Sequence, residues 1–205
     1  MVRDAILSLL KESWPTLVIF LIIIILFRIF YFINGSRKFI LHEEIIQILF
    51  IIYILLLFNL VTSSDVDVRS TTNLIPFKEI LRYDFGTYGF YRQVIGNIVM
   101  FIPFGFFATY YTKIKKISSI TFITLLVSLT IEIVQKNIGR CFDIDDILLN
   151  VIGGILGFFI YVGLNAISKK LPSFMRSDGF LSFLSVLILI AFGLYLFGII
   201  RFGWF

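Results

Sequence analysis

The sequence contains very few of the residues on which soluble enzymes and disulfide-stabilised domains depend. It has one cysteine, Cys141, and one histidine, His42, among 205 residues. A single cysteine cannot form an intramolecular disulfide bond, and these two soft ligands are too few for a structural zinc site. No Ser-His-Asp or Cys-His arrangement is visible, so nucleophilic catalysis by Cys141 is disfavoured. His42, beside two glutamates, is interpreted as a solvated loop residue.

Charged residues are also scarce. They make up 15% of the chain, whereas apolar residues make up 59% and aromatic residues 18%. Soluble domains average about a quarter charged residues, and one small core cannot bury this much Ile, Leu and Phe. The composition therefore predicts that lipid surrounds most of the chain. The formal net charge of +5 does not indicate nucleic-acid binding, because the basic residues flank apolar segments, where they contact lipid headgroups and set topology.

Several apolar segments are long enough to cross a bilayer as helices, which takes about 20 residues each. They are Thr16–Ile33, Ile45–Thr62, Val94–Tyr111, Ser118–Gln135, Ile147–Asn165 and Leu181–Ile200. The predicted fold class is therefore all-α, a polytopic integral-membrane helix bundle with about six transmembrane helices. No internal repeat is visible, which leaves a transporter unsupported.

The short connections between these spans predict an orientation. Asn34–Glu44, Thr112–Ile117 and Ile167–Gly179 are rich in Lys and Arg and fall on one side of the six-span arrangement. The positive-inside rule places that side in the cytoplasm. The loops Ser63–Gln93 and Lys136–Asp146, and both termini, are then predicted to be extracellular.

The first of these extracellular loops is predicted to lie against lipid. Pro76 biases the residue before it away from helix, so this part is expected to be extended or turned. The aromatic residues that follow are of the kind found at the headgroup level of membranes. They are Tyr83, Phe85, Tyr88, Phe90 and Tyr91.

Polar residues concentrate between Glu132 and Gly157, where the fourth and fifth predicted spans meet. Charge at the rim of a membrane helix is costly unless it is paired or hydrated. Because residues three or four positions apart share a helix face, the spacing allows these side chains to converge with Asn97 of the third span. The residues predicted to line a ligand-binding pocket are Asn97, Glu132, Gln135, Arg140, Asp143, Asp146 and Asn150.

The same residues permit other interpretations. An arginine beside carboxylates can bind a phosphate directly or through a divalent cation. A membrane-embedded enzyme would use Glu132, Asp143 or Asp146 as a general base or as metal ligands. In a structural interpretation, Glu132 and Arg140 pair to close the corner and Asp143 or Asp145 caps the fifth helix. The spacing of two glycines, Gly153 and Gly157, permits another helix to approach closely.

Four motifs together resemble the VanZ-like family. They are TNLIPF (72–77), GNIVMFIPFG (96–105), IEIVQ (131–135) and GRCFDIDDILLNVIGGILG (139–157). The resemblance implies a VanZ-like core at 59–161, preceded by an N-terminal extension (1–58) with the first and most of the second transmembrane helix. Residues 162–205 then form a C-terminal loop and the last transmembrane helix. The positions that fit the family pattern are Asn97, Pro103, Gly105, Glu132, Gln135, Arg140, Asp143, Asp146, Asn150, Gly153 and Gly157.

The resemblance also implies a setting and a phenotype class. The namesake of the family is associated with low-level teicoplanin resistance in Gram-positive bacteria, so a multi-pass protein of the bacterial cytoplasmic membrane is expected. Its expected partners are membrane lipids, a lipid-linked cell-wall precursor or a lipoglycopeptide, recognised at the outer face. A structural partner role in a membrane assembly stays open as an alternative.

Overall fold

The structure, a computed structural model, describes residues 39–62 and 72–197 and isolated positions between residues 7 and 29. The described positions within the first predicted span, 18–20, 22–26 and 29, are helical. The bounds of that span, and both chain termini, lie outside the described residues. The described ranges contain helices and no strand, which confirms the all-α prediction.

Five helices in the described part of the chain are long and apolar enough to cross a membrane. They are α1 (Leu41–Thr62), α2 (Tyr88–Thr112), α3 (Ile117–Asn137), α4 (Ile144–Lys170) and α5 (Asp178–Leu196). They correspond to the second to sixth predicted spans. The chain is therefore a multi-pass membrane protein.

Each of these helices begins before its predicted start, because capping residues as well as apolar ones decide where a helix begins. Thr87 accepts a hydrogen bond from the backbone N–H of Phe90 and opens α2. Ser177 is the N-cap of α5, and its hydroxyl accepts from the backbone N–H of Phe180. The aromatic residues at the start of α2, predicted to lie in a loop, are therefore helical.

The chain divides into two compact units, and one of them comprises residues 1–56 and 171–205. Within this unit, the side chain of Ser182 on α5 contacts the backbone nitrogen of His42 (3.3 Å) and its Nδ1 (3.4 Å). His42 thus lies in the first turn of α1 rather than in the predicted loop, and it has a side-chain partner.

The other compact unit is Leu57–Lys170, and within it α4 packs against both α2 and α3. The helices approach to backbone contact. A methyl group added at Gly153 would lie 2.2 Å from the carbonyl oxygen of Ile98, and one at Gly157 would lie 2.1 Å from that of Ile102. The predicted close approach at these glycines is confirmed. It brings the polar ends of α2, α3 and α4 together.

Candidate functional site

A cavity of about 780 Å³ lies where the N-terminal ends of α2 and α4 meet the C-terminal end of α3. We call it the polar cavity. All seven side chains predicted from spacing line it: Asn97, Glu132, Gln135, Arg140, Asp143, Asp146 and Asn150. The structure therefore shows their convergence, whereas their role in ligand binding stays a prediction.

Residues 72–87, the 72–87 loop, form a further wall of the cavity, and Asn73 ties this loop to the start of α4. The backbone N–H of Asn73 donates to the carbonyl of Phe142 (2.8 Å), and the N–H of Ile144 donates to the carbonyl of Asn73 (3.1 Å). Its amide side chain donates to Asp143 Oδ1 at 2.8 Å. The TNLIPF motif is therefore an anchor for the loop.

Asp145 holds the next part of the loop. Its side chain is 1% exposed, and its carboxylate accepts backbone hydrogen bonds from Phe77 (2.5 Å), Glu79 (2.7 Å) and Ile80 (3.3 Å). These donors lie where the short 3-10 helix Ile80–Arg82 begins. Three donors satisfy the buried carboxylate, so Asp145 is a structural anchor and does not cap α4.

The loop needs this anchor because it contains an unfavourable backbone conformation. Phe77 has a φ of 66°, a left-handed conformation that costs free energy for a bulky residue. It follows Pro76 in a β-turn that the N–H of Lys78 closes by donating to the carbonyl of Ile75 (3.4 Å). The hydrogen bond from Phe77 to Asp145 helps to hold this conformation.

Asp143 is the residue that caps α4. Its Oδ1 accepts from the N–H of Asp145 at 2.9 Å, and its own N–H donates to Glu132 Oε2 at 2.8 Å. Burial raises the pKa of the Asp143 carboxyl above its ordinary value, although the hydrogen bonds from Asp145 and Asn73 oppose this shift. Asp143 and Glu132 therefore join the end of α3 to the start of α4.

Arg140 is positioned by the turn that ends α3. Gly139 has a φ of 88°, a conformation that glycine adopts without steric cost, and the N–H of Arg140 donates to the carbonyl of Gln135 (2.9 Å). In the amide orientation that satisfies both neighbours, Gln135 donates to Glu132 Oε1 (3.1 Å) and accepts from Arg140 Nη1 (3.2 Å). The predicted Glu132–Arg140 pair is thus connected through an amide.

Asp146, Asn97 and Asn150 form a second polar group, on the α2 and α4 sides of the cavity. Asn97 Nδ2 donates to Asp146 Oδ1 at 2.5 Å. One turn further along α4, Asn150 is 2% exposed, and its Nδ2 donates to Ser128 Oγ at 2.9 Å. Its Oδ1 is buried without a donor in the described part of the chain.

The cavity also contains basic residues that were not predicted from the sequence to belong to a site. Lys78 and Arg82 of the 72–87 loop line it, together with Arg92 from the π-helical turn Tyr91–Ile95 of α2. Arg82 Nη1 lies 3.1 Å from Glu79 Oε2. The sequence signal for these residues was the mixture of basic and aromatic positions in this loop.

The same loop has an outer apolar surface, as the prediction of a lipid-facing loop requires. Leu81 is 81% exposed and Phe85 is 85% exposed. Other exposed apolar side chains near them are Leu74, Ile75, Phe77 and Tyr88. The loop is therefore two-sided, with Lys78, Glu79 and Arg82 lining the cavity and the apolar side chains of Leu81 and Phe85 on the surface.

Catalytic chemistry by the single cysteine receives no support from its surroundings. Burial raises the pKa of the Cys141 thiol, which lowers the fraction of reactive thiolate at neutral pH.

Among the described residues, no three His, Cys, Asp or Glu side chains form a group that holds a metal ion. The divalent cation proposed with Glu132, Asp143 and Asp146 stays a prediction.

Comparison with known proteins agrees with this arrangement of motifs. The chain is 29% identical to Protein VanZ of Enterococcus faecium over 149 residues, which cover 71% of this chain and 83% of that protein. No solved structure matches the chain significantly. The sequence profile of the VanZ/LLP1 family matches residues 16–169, reaching beyond 59–161 on both sides. This membrane protein therefore belongs to the VanZ/LLP1 family.

Proposed function

We propose that this protein binds a cell-envelope lipid or a lipoglycopeptide in the polar cavity, at the outer face of the bacterial cytoplasmic membrane. Through this binding it contributes to low-level resistance to teicoplanin and related glycopeptides. The observation that carries the proposal is the cavity itself, in which buried acceptors and several cations converge at one end of three membrane helices. Polar side chains within membrane helices cost free energy, so they are typical of functional sites.

The distribution of lysines supports the outward orientation. The turn between α2 and α3 contains Lys113, Lys115 and Lys116, and α4 ends at Lys169 and Lys170. These lysines lie at the ends of α2, α3 and α4 opposite the cavity. By the positive-inside rule the lysine-rich end faces the cytoplasm, which directs the cavity outward.

The two-sided 72–87 loop supports an amphiphilic ligand. A lipid-linked cell-wall precursor and a lipoglycopeptide each combine a polar part with an apolar chain. The loop offers polar side chains to the cavity and exposed Leu81 and Phe85 to the surrounding lipid. Such a ligand can place its headgroup in the cavity while its apolar part stays in the bilayer.

A second candidate function is turnover of a lipid headgroup. The observation in its favour is Asp146, which lines the cavity. Among the residues that the structure describes it receives one hydrogen bond, from Asn97, so that its other oxygen is available as a general base. Purified protein given labelled envelope lipids would then release product, with a rate that depends on Asp146 and on added divalent cation. Binding without product supports recognition alone.

Substitution of the cavity residues tests the proposed function. We expect Asp146→Ala and Arg140→Ala each to reduce teicoplanin resistance of a susceptible Gram-positive host to the level of the empty host, because each removes a charge from the cavity. The measurement is the minimal inhibitory concentration, with protein abundance determined by immunoblot.

Matched controls exist at the same end of the molecule. Asp84→Ala and Lys136→Ala remove one charge each from exposed side chains that do not line the cavity, and they should retain resistance. If both cavity variants retained full resistance at normal abundance, the proposal would be wrong.

A further inference from the structure

The α4 side of the polar cavity offers hydrogen-bond acceptors that the protein does not fill. Asn150 Oδ1 is buried and has no donor in the described part of the chain. The amide nitrogen of the same side chain donates to Ser128 Oγ. Asp146, one turn away on the same helix, accepts from Asn97 at Oδ1 and from no other described residue. A buried acceptor without a donor is rare in native proteins, so a bound group is expected to supply the donor.

The nearby amide donors are already engaged. Asn97 Nδ2 donates to Asp146, and Gln135, in its satisfied orientation, donates to Glu132. The partner of Asn150 Oδ1 must therefore bring its own N–H or O–H groups. Because the Asp146 carboxylate lines the same cavity, a positively charged donor is favoured over a neutral one.

The loop side of the cavity has the opposite character. Lys78 and Arg82 belong to the 72–87 loop and Arg92 to the start of α2, and these three cations line the cavity together with one loop carboxylate, Glu79, which lies 3.1 Å from Arg82. Lys and Arg side chains are the usual partners of phosphate groups. The cavity therefore presents cations from one side and acceptors from the other.

We infer that the polar cavity recognises a zwitterionic headgroup, in which a phosphate contacts the loop cations and a primary ammonium donates to Asp146 and Asn150. This inference rests on the proposed function and specifies its ligand class. The ammonium N–H groups supply the donor that Asn150 Oδ1 lacks. A trimethylated ammonium has the same charge but no N–H, so the cavity discriminates between the two.

Two phospholipids that differ at this nitrogen provide the test. The full-length protein in detergent is titrated with phosphatidylethanolamine or phosphatidylcholine of identical acyl chains, and bound lipid is quantified by native mass spectrometry. We expect about tenfold tighter binding of phosphatidylethanolamine, the size of effect given by one charge-assisted hydrogen bond. Asp146→Asn should abolish this preference, whereas the exposed control Asp84→Asn should retain it.

A variant on the loop side separates the two halves of the site. Arg82→Gln should weaken the binding of both lipids by the same factor, because both contain the phosphate. Soluble phosphoethanolamine, added as a competitor, distinguishes a headgroup site from one that requires the acyl chains. Competition at concentrations near those of the lipid identifies the headgroup as sufficient, and much weaker competition identifies the lipid as the ligand. Both results agree with the inference that the cavity binds a zwitterionic headgroup.

The outcomes for the inference and for the proposed function are distinct. Equal affinity for the two lipids, or a preference that survives Asp146→Asn, overturns the zwitterion inference. If binding still depends on Arg82 and Arg140 in that case, the lipid-recognition proposal stands. Lipid binding that none of these substitutions affects overturns both.

Discussion

Asp143, Asp145 and Asp146 are neighbours in sequence, yet their carboxylates contact different parts of the protein. Asp143 accepts from the first turn of α4 and from Asn73, Asp145 accepts from the 72–87 loop, and Asp146 accepts from Asn97 of α2. The first two brace the corner between helices and loop. Within the described ranges the third accepts a hydrogen bond at one oxygen, so under the proposed function its other oxygen is the one available to a ligand.

The brace at Asp145 is directly testable. Asp145→Asn places an amide NH₂ against backbone N–H donors, and an unsatisfied buried donor costs about 1–3 kcal/mol. We therefore expect a lower free energy of unfolding for this variant in detergent and faster tryptic cleavage after Lys78 and Arg82, as the loop loses its anchor. Asp146→Asn is the matched control, since its carbonyl oxygen still accepts from Asn97. Equal stability and equal cleavage in the two variants would contradict the assigned role.

For single residues, the sequence predicted which side chains lie close together but not all of their hydrogen-bond partners. Asn97, Glu132 and Asp146 could be placed together because helical spacing and alternating helix direction bring them to one end of the bundle. The contacts of Asp145 could not be found this way. Its partners are backbone N–H groups 65 to 68 positions away, and a backbone donor leaves no signature in residue identity.

Among the helices that form the site, α4 packs against both of the others, α2 and α3. Its glycines allow this: at Gly153 and Gly157 the facing carbonyls of α2 leave no room for a methyl group. On the other face, a methyl group at Gly154 would lie 2.4 Å from Thr124 Oγ1. The distance between Asn97 and Asp146 is therefore set by the packing of these helices.

A pair of substitutions on α4 tests this packing. Gly157→Ala should lower the stability of the protein in detergent by about 1–3 kcal/mol, the usual cost of overpacking, because the new methyl group meets the backbone of α2. Gly163→Ala, where the methyl group meets nothing within 4 Å, should instead raise it by up to about 1 kcal/mol through helix propensity. Thermal unfolding of both variants in one detergent measures the difference, and a destabilisation common to both would exclude the steric explanation.

The helices themselves were largely predictable, because long apolar segments have few alternatives in a membrane protein. Their N-terminal ends were not. Thr87 and Asp143 begin helices well ahead of the apolar residues that marked the predicted spans. The 72–87 loop was expected to lie against lipid, and its exposed Leu81 and Phe85 agree with that, but its contribution of Lys78 and Arg82 to the cavity depends on anchors that the sequence pattern did not reveal.

On the scale of the whole molecule, the polar cavity lies at one end of α2, α3 and α4, and the lysine-rich turn between α2 and α3 lies at the other. Asp84 lies in the loop at the cavity end, and Lys115 lies in the turn between α2 and α3 at the other end. The proposed function requires the cavity end to be extracellular. The proposed function therefore depends on the orientation of the protein in the membrane.

Because Cys141 is the sole cysteine, orientation can be measured by thiol labelling. In a Cys141→Ser background, Asp84→Cys should react with a membrane-impermeant maleimide on intact cells, while Lys115→Cys should react only after the membrane is opened. Both positions are exposed on the protein, so the side of the membrane on which each lies decides whether it reacts. The reverse pattern would place the cavity in the cytoplasm and contradict outer-face action.

The tie between Asn73 and Asp143 has a consequence for biosynthesis. The two residues are 70 positions apart, and two complete helices, α2 and α3, lie between them. The ribosome therefore makes the 72–87 loop, and the membrane receives it, before the residues that give it its shape exist. The cavity is completed only when the start of α4 arrives, so a nascent chain that stops short of Asp143 contains α2 and α3 but not the site.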